Sequence, residues 1–155
     1  MVSISRFSFG GTAAIVTSMA LIVGLNAATA TKATIISGLL VVALADNLTD
    51  SLSIHIYQES ERLEERNAFI TTLTNFTTRL VLSISFVLLV LLLPITSAII
   101  VSVIWGFSLL IALTCMLARD RNVSVASEVF KHVAVALMVI IASQGIGAWI
   151  PAHIG

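Results

Sequence analysis

Apolar residues along this chain come in long unbroken runs. They show neither the alternation of a half-buried strand nor the three-to-four spacing of a soluble amphipathic helix. Five runs are readable, at about 10–30, 33–57, 68–93, 96–118 and 133–150. Each approaches or exceeds the ~20 residues that carry an α-helix across a bilayer. Backbone in lipid must satisfy its own hydrogen bonds, so the runs are predicted to be helices, and barrel strands are excluded. The breaks carry their own chemistry. Ala30-Thr31-Lys32 separates the first two runs, and Arg119-Asp120-Arg121-Asn122 separates the last two. Pro94 splits a long apolar stretch and pushes Leu93 out of the helical region. The segment 59–67 is the most polar of the chain. It holds Glu59, Glu61, Glu64 and Glu65 with Arg62 and Arg66, lacks Gly and Pro, and is predicted to continue the second helix into water. No repeat, low-complexity tract or soluble domain is visible, so residues 1–155 read as a single transmembrane domain.

Composition sharpens this all-α, polytopic reading. Hydrophobic residues make up 58% and charged residues 10%, with a mean hydropathy of +1.08. Soluble domains average ~45–50% and ~25%. A soluble globular domain and a disordered chain are both excluded. Eight basic and eight acidic residues cancel with no basic patch, which excludes an electrostatic nucleic-acid binder. The lone Cys115 excludes an intrachain disulfide and reads as a packed thiol. With five spans, Arg6, Arg62, Arg66, Arg119, Arg121 and Lys131 fall on one side and Lys32 on the other. The positive-inside rule then predicts a cytoplasmic N-terminus and an outside C-terminus. A rival reading takes Arg6, the apolar stretch to Leu25 and Ala28-Thr29-Ala30 as a cleavable secretory leader, which would leave four spans. Gly10, Gly11, Thr12 and Gly24 argue instead for a retained helix that packs closely on its neighbours.

Chemistry rests on the few polar residues inside the spans. Asp46 and Asp50 are four apart and share one helix face, which Ser53 and Tyr57 continue. At ~1.5 Å per residue from Lys32, Asp46 lies ~21 Å and Asp50 ~27 Å into a ~30 Å core. A carboxylate there costs a few kcal/mol and should face a partner or a watery cavity. Two on one face repel unless a cation or proton neutralises them. The same count from Pro94 puts Arg79 ~22 Å deep, level with Asp46. One reading is a structural Asp46–Arg79 pair. The other is a cation site at Asp50 and Asp46, with Arg79 as gate or tethered countercharge. Ser53, Thr74, Asn75 and Thr78 could line a hydrated path or serve as interhelical glue. Glu59, Glu61, Glu64 and Glu65 could gather cations at a cytoplasmic mouth, or belong to a solvated, salt-bridged helix extension. Gly145 and Gly147 are expected to permit close helix contact. Asn26, Ser143 and Gln144 read as interhelical glue. Oxygen ligands suit Mn²⁺, Mg²⁺, Ca²⁺ and ferrous iron, and no soft-metal site is readable. Signatures of soluble enzymes are absent, and no tightly bound cofactor is expected.

The order of these features resembles the vacuolar iron transporter family, five-helix dimers that carry ferrous iron and manganese. Gly10-Gly11-Thr12-Ala13-Ala14-Ile15-Val16-Thr17-Ser18 through Gly24 resembles the family's opening G-x-x-D-G-[LI]-V-[ST] and its later Gly. Gly38 through Glu61 resembles G-x-x-x-G-x-x-S-M-x-x-G-E-[YF]-x-S and its acidic tail. Ser53 matches the last Ser, which places Asp50 on the family's Glu and Asp46 on its Met. The third helix from Asn67, the Arg119–Arg121 loop and the final Gly145-Ile146-Gly147 keep the family's order. The departures are specific. The first-helix Asp falls on Ala13, the next Gly falls on Ala14, and the large cytoplasmic metal-binding insert is missing or reduced to 59–66.

The resemblance implies transport of a divalent cation, iron or manganese, by proton exchange in a homodimer that supplies ligands one chain lacks. A prokaryotic cytoplasmic membrane is the expected location. The competing expectation is a non-transporting structural membrane protein or a subunit of a larger complex. A membrane-embedded aspartyl protease is disfavoured, because its two Asp residues normally come from two helices and here both lie on one.

Overall fold

The computed structural model of the chain describes residues 4–60 and 65–154. It folds into α1 (Ile4–Ala27), α2 (Lys32–Ser60), α3 (Glu65–Leu92), α4 (Ile95–Asp120) and α5 (Val125–His153). No strand occurs among the described residues. All five helices are long and apolar enough to cross a membrane. The described residues are therefore all-α, as predicted, with five helices able to span a membrane.

The ends of the helices follow local chemistry. Pro94, with φ −57°, stands at the N-cap of α4 and separates it from α3. Both α1 and α4 end in a left-handed residue, Thr29 (φ 59°) and Asn122 (φ 52°). In each case the next N–H bonds five residues back, Ala30 to the Leu25 carbonyl and Val123 to the Ala118 carbonyl, both at 3.0 Å. These are Schellman closures, which satisfy carbonyls that the helix leaves unpaired. Helix α5 begins at Val125, well ahead of the expected 133. The extra turns carry Ser127, Glu128, Lys131 and His132, which interrupt the apolar run without breaking the helix, and Glu128 in the first turn is bonded to Lys131 at 2.8 Å. The helix also runs past 150 to His153, because Pro151 falls near its end and the Ile154 N–H still reaches the Ile150 carbonyl at 2.9 Å.

Helix α1 is central: α2, α3, α4 and α5 all pack against it. The buried residues form narrow stripes. On α4 they are Ala98, Ser102, Gly106, Leu110, Thr114 and Ala118, every fourth residue and mostly small. Ridges at this spacing interdigitate between helices, and small side chains bring the backbones close. Ile15, Met19, Ile22, Leu39, Phe86 and Leu110 fill the core. The outward faces carry large apolar residues such as Leu44, Leu48, Leu52 and Ile104, as expected where lipid is the solvent.

The α1–α5 and α2–α3 seams differ in chemistry. Along α1–α5, Gly147 lies so close to the Gly24 carbonyl that a methyl group there would overlap it. A methyl on Gly24 would in turn meet the Ser143 carbonyl oxygen at 3.1 Å. Gly145, also expected to permit close packing, has nothing within 4 Å of the position a methyl would take, because it faces outward. Asn26 and Gln144, read as interhelical glue, are likewise exposed, while Ser143 does meet α1. At the far end of the α2–α3 seam, the Lys32 ammonium donates to the carbonyls of Leu91 (2.9 Å) and Leu93 (3.0 Å). Pro94 leaves carbonyls at the end of α3 without helical donors, and Lys32 satisfies two of them.

Candidate functional site

Helices α2 and α3 run antiparallel. The buried stripe of α2 is Ile35, Leu39, Ala43, Asn47 and Ser51, and that of α3 includes Asn75, Arg79, Ser83, Phe86 and Val90. Toward Lys32 the seam is apolar, with Ile35 and Leu39 on one side and Phe86 and Val90 on the other. Toward the α2–α3 tip it turns polar. Arg79 lies in this polar half with its side chain 3% exposed.

Three groups of α2 converge on that guanidinium. Arg79 Nε donates to Asn47 Oδ1 at 2.8 Å. Arg79 Nη1 donates to Asp50 Oδ2 in a direct ion pair. Arg79 Nη2 stands 3.7 Å from Asp46 Oδ2, within ion-pair range but beyond a hydrogen bond. The predicted Asp46–Arg79 ion pair is therefore present, but it is the looser of two, and the closer partner is Asp50. Counting rise per residue put the Cα of Arg79 level with Asp46, but side chains tilt toward the N-terminus of their own helix. In an antiparallel pair, the Arg79 stem leans toward the tip and the Asp50 carboxylate leans back to meet it.

Exposure divides the two acids from the rest. Asp46 is 53% exposed and Asp50 41% exposed, while Asn47 is 1% exposed. On the third side stands α1. A methyl on Gly10 would overlap Asn75 Oδ1 and lie 3.0 Å from Arg79 Cδ, so the missing side chain lets α1 close over the stem. Gly10 of α1 meets the cluster here, whereas Ala13, the position matching the family's Asp in the resemblance, is exposed.

The other candidates separate. Asn75 is buried on the cluster side of α3, and its Nδ2 has no hydrogen-bond partner. Asn47 Nδ2, Ser51 Oγ and Thr72 Oγ1 are also buried without partners on these two helices. Thr74 and Thr78, with Thr77, Leu73, Val81 and Leu82, line an open groove of about 490 Å³ whose lining does not include Asn75. The Thr78 hydroxyl donates to the Thr74 carbonyl at 2.8 Å and the Ser53 hydroxyl to the Thr49 carbonyl at 2.9 Å. Such bonds satisfy a hydroxyl within its own helix. Thr74, Thr78 and the exposed Ser53 therefore do not form one lining with Asn75. Glu61 and Glu64 lie outside the described residues, as do the side chains of Glu59 and Glu65.

Asn47 is the residue that sequence reasoning passed over. It sits between the two acids in sequence, but its signal was the spacing Ala43, Asn47, Ser51: a small or polar residue every fourth position opposite Arg79. Among the described residues, no group of three or more His, Cys, Asp or Glu side chains is placed to hold a metal ion. One chain offers two carboxylates, one amide oxygen and one guanidinium, with a net charge of −1 at the cluster. Comparison with known proteins finds no matching family model, no matching curated protein and no matching solved structure.

Proposed function

We propose that the chain is a membrane carrier that moves a divalent metal cation, ferrous iron or manganese, in exchange for protons. One observation carries this reading: two half-exposed carboxylates share a face of a membrane-length helix, with a single buried guanidinium against them. Charge at that depth is retained where a function needs it, because an apolar pair would be cheaper. The cluster keeps one negative charge after Arg79 is counted, so it attracts a proton or a cation. Its donors are oxygens, which suits hard cations. The carrier works as a homodimer in a prokaryotic cytoplasmic membrane, with its N-terminus inside. Asp46, Thr49 and Ser53 form a polar exposed stripe on α2 that lipid covers poorly, and a second copy supplies both the cover and further ligands.

Uptake of Mn²⁺ and ferrous iron into proteoliposomes, with and without a pH gradient, tests this for the wild type and Asp50→Asn. Uptake that needs the gradient and fails in folded Asp50→Asn is the expected result. Absence of flux for both metals from folded wild-type protein, or normal uptake by Asp50→Asn, overturns it. A second reading is favoured by the Arg79 contacts themselves. Bonds to Asn47 and Asp50 clamp α3 to α2, as a non-transporting structural protein would require.

A further inference from the structure

Arg79 is a cation already seated among oxygens. Asp50 Oδ2 and Asn47 Oδ1 accept its N–H groups, and Asp46 Oδ2 is 3.7 Å from its Nη2. These oxygens come from positions 46, 47 and 50 of one helix, each against a different nitrogen of the guanidinium, so they are the oxygens nearest to a cation that replaces it. The bond from Nε fixes how the Asn47 amide is turned, with the oxygen toward the charge and a partnerless Nδ2 away from it. An amide buried to 1% exposure and oriented in this way is a neutral oxygen ligand beside two anionic ones. With Arg79 seated the cluster holds −1. With Arg79 withdrawn it holds −2, the charge that one divalent cation cancels.

We propose that Asp50, Asn47 and Asp46 form the cation site and that Arg79 is its resident occupant, so that cargo and Arg79 exclude each other. This rests on the transport reading above and adds to it a ligand, Asn47, and a specificity-determining residue, Arg79. Arg79 sets a threshold: a cation enters only if it replaces two good contacts to a guanidinium, which a hard divalent ion does better than a monovalent one. Release needs no separate device, because the tethered guanidinium returns to the carboxylates and displaces the ion.

Calorimetric titration with Mn²⁺ in lipid nanodiscs tests the exclusion, using wild type, Arg79→Gln and Arg79→Gln with Asp50→Asn. Loss of the competitor should tighten Mn²⁺ binding at least tenfold, within the ~5–150-fold span of ordinary coupling. The double variant should lose that gain, and Asn47→Ala should weaken wild-type binding. Equal or weaker binding by folded Arg79→Gln overturns the proposal. If Arg79→Gln does not fold, phenylglyoxal labelling of the wild type, read at Arg79 by mass spectrometry, replaces it. Mn²⁺ should raise labelling severalfold by expelling the guanidinium, and unchanged or reduced labelling overturns the proposal. The two readings fail separately. Tight binding by Arg79→Gln without wild-type uptake removes transport and keeps the exclusion. Wild-type uptake with an unaltered Arg79→Gln affinity removes the exclusion and keeps transport.

Discussion

The α1–α5 and α2–α3 seams join helices of similar length by opposite means. Along α1–α5 the backbones touch at Gly24 and Gly147, with Ser143 beside them and no charge at the contact. Along the polar half of α2–α3 the backbones are held by one guanidinium with three oxygen partners. Dispersion and shape hold the first seam's contact at Gly24 and Gly147. Coulombic attraction holds the second, and it weakens as soon as a proton or cation satisfies Asp50. A carrier needs one seam that stays and one that yields. On the carrier reading proposed above, the polar half of α2–α3 is the seam that would yield, and its apolar half near Lys32 would be the hinge side.

The largest expected effect breaks the charged seam. Arg79→Ala leaves Asp50 without its counter-ion in a membrane span and should cost about 3–5 kcal/mol, enough to prevent stable folding. Arg79→Leu combined with Asp50→Leu removes both charges and should recover most of that loss. Thermal unfolding in nanodiscs measures both. Recovery of stability without recovery of uptake supports the carrier. Recovery of both would mean that the pair only clamps two helices, which is the structural reading.

What was legible follows from the strength of each signal. Five spans and the break at Pro94 were readable because twenty apolar residues and a ring without an N–H leave little choice. The shared face of Asp46 and Asp50 followed from helical period alone. Which acid meets Arg79 did not, because rise per residue places Cα atoms and not the ends of a long side chain. Asn47 stayed hidden because it is uncharged and its role appears only when α3 lies opposite. Thr74 and Thr78 were grouped with Asn75 by density, although Thr74 lies about 100° from Asn75 around the helix. The early start of α5 escaped because Ser127, Glu128, Lys131 and His132 interrupt the apolar run there without breaking the helix.

A middle-sized effect sharpens the other side of the comparison. Gly147→Val would drive a side chain into the Gly24 carbonyl and should cost about 1–3 kcal/mol as α5 is forced off α1. Gly145→Val is the matched control, two residues away with open space around it, and should stay within about 1 kcal/mol of wild type. Cysteine crosslinking between α1 and α5 should fall in the first variant and persist in the second. Equal losses in both would mean that β-branching in the helix, and not the backbone contact, governs this seam.

The smallest effect concerns the hinge end of α2–α3. Lys32 bonds two carbonyls of α3 just before Pro94, at the opposite end of the seam from Arg79. The bonds are charge-assisted, but the ammonium is only part-buried and water can take its place. Lys32→Met keeps the aliphatic stem and should therefore cost only about 1 kcal/mol. Its effect on function should be clearer than its effect on stability. If the polar half opens while the Lys32 end holds, freeing that end lets the two helices slide as well as part. Metal uptake should then fall severalfold while equilibrium Mn²⁺ binding at Asp50 is unchanged. Loss of binding in Lys32→Met would show that the two ends of the seam move as one rigid unit, and the division into a yielding half and a hinge half would have to be abandoned.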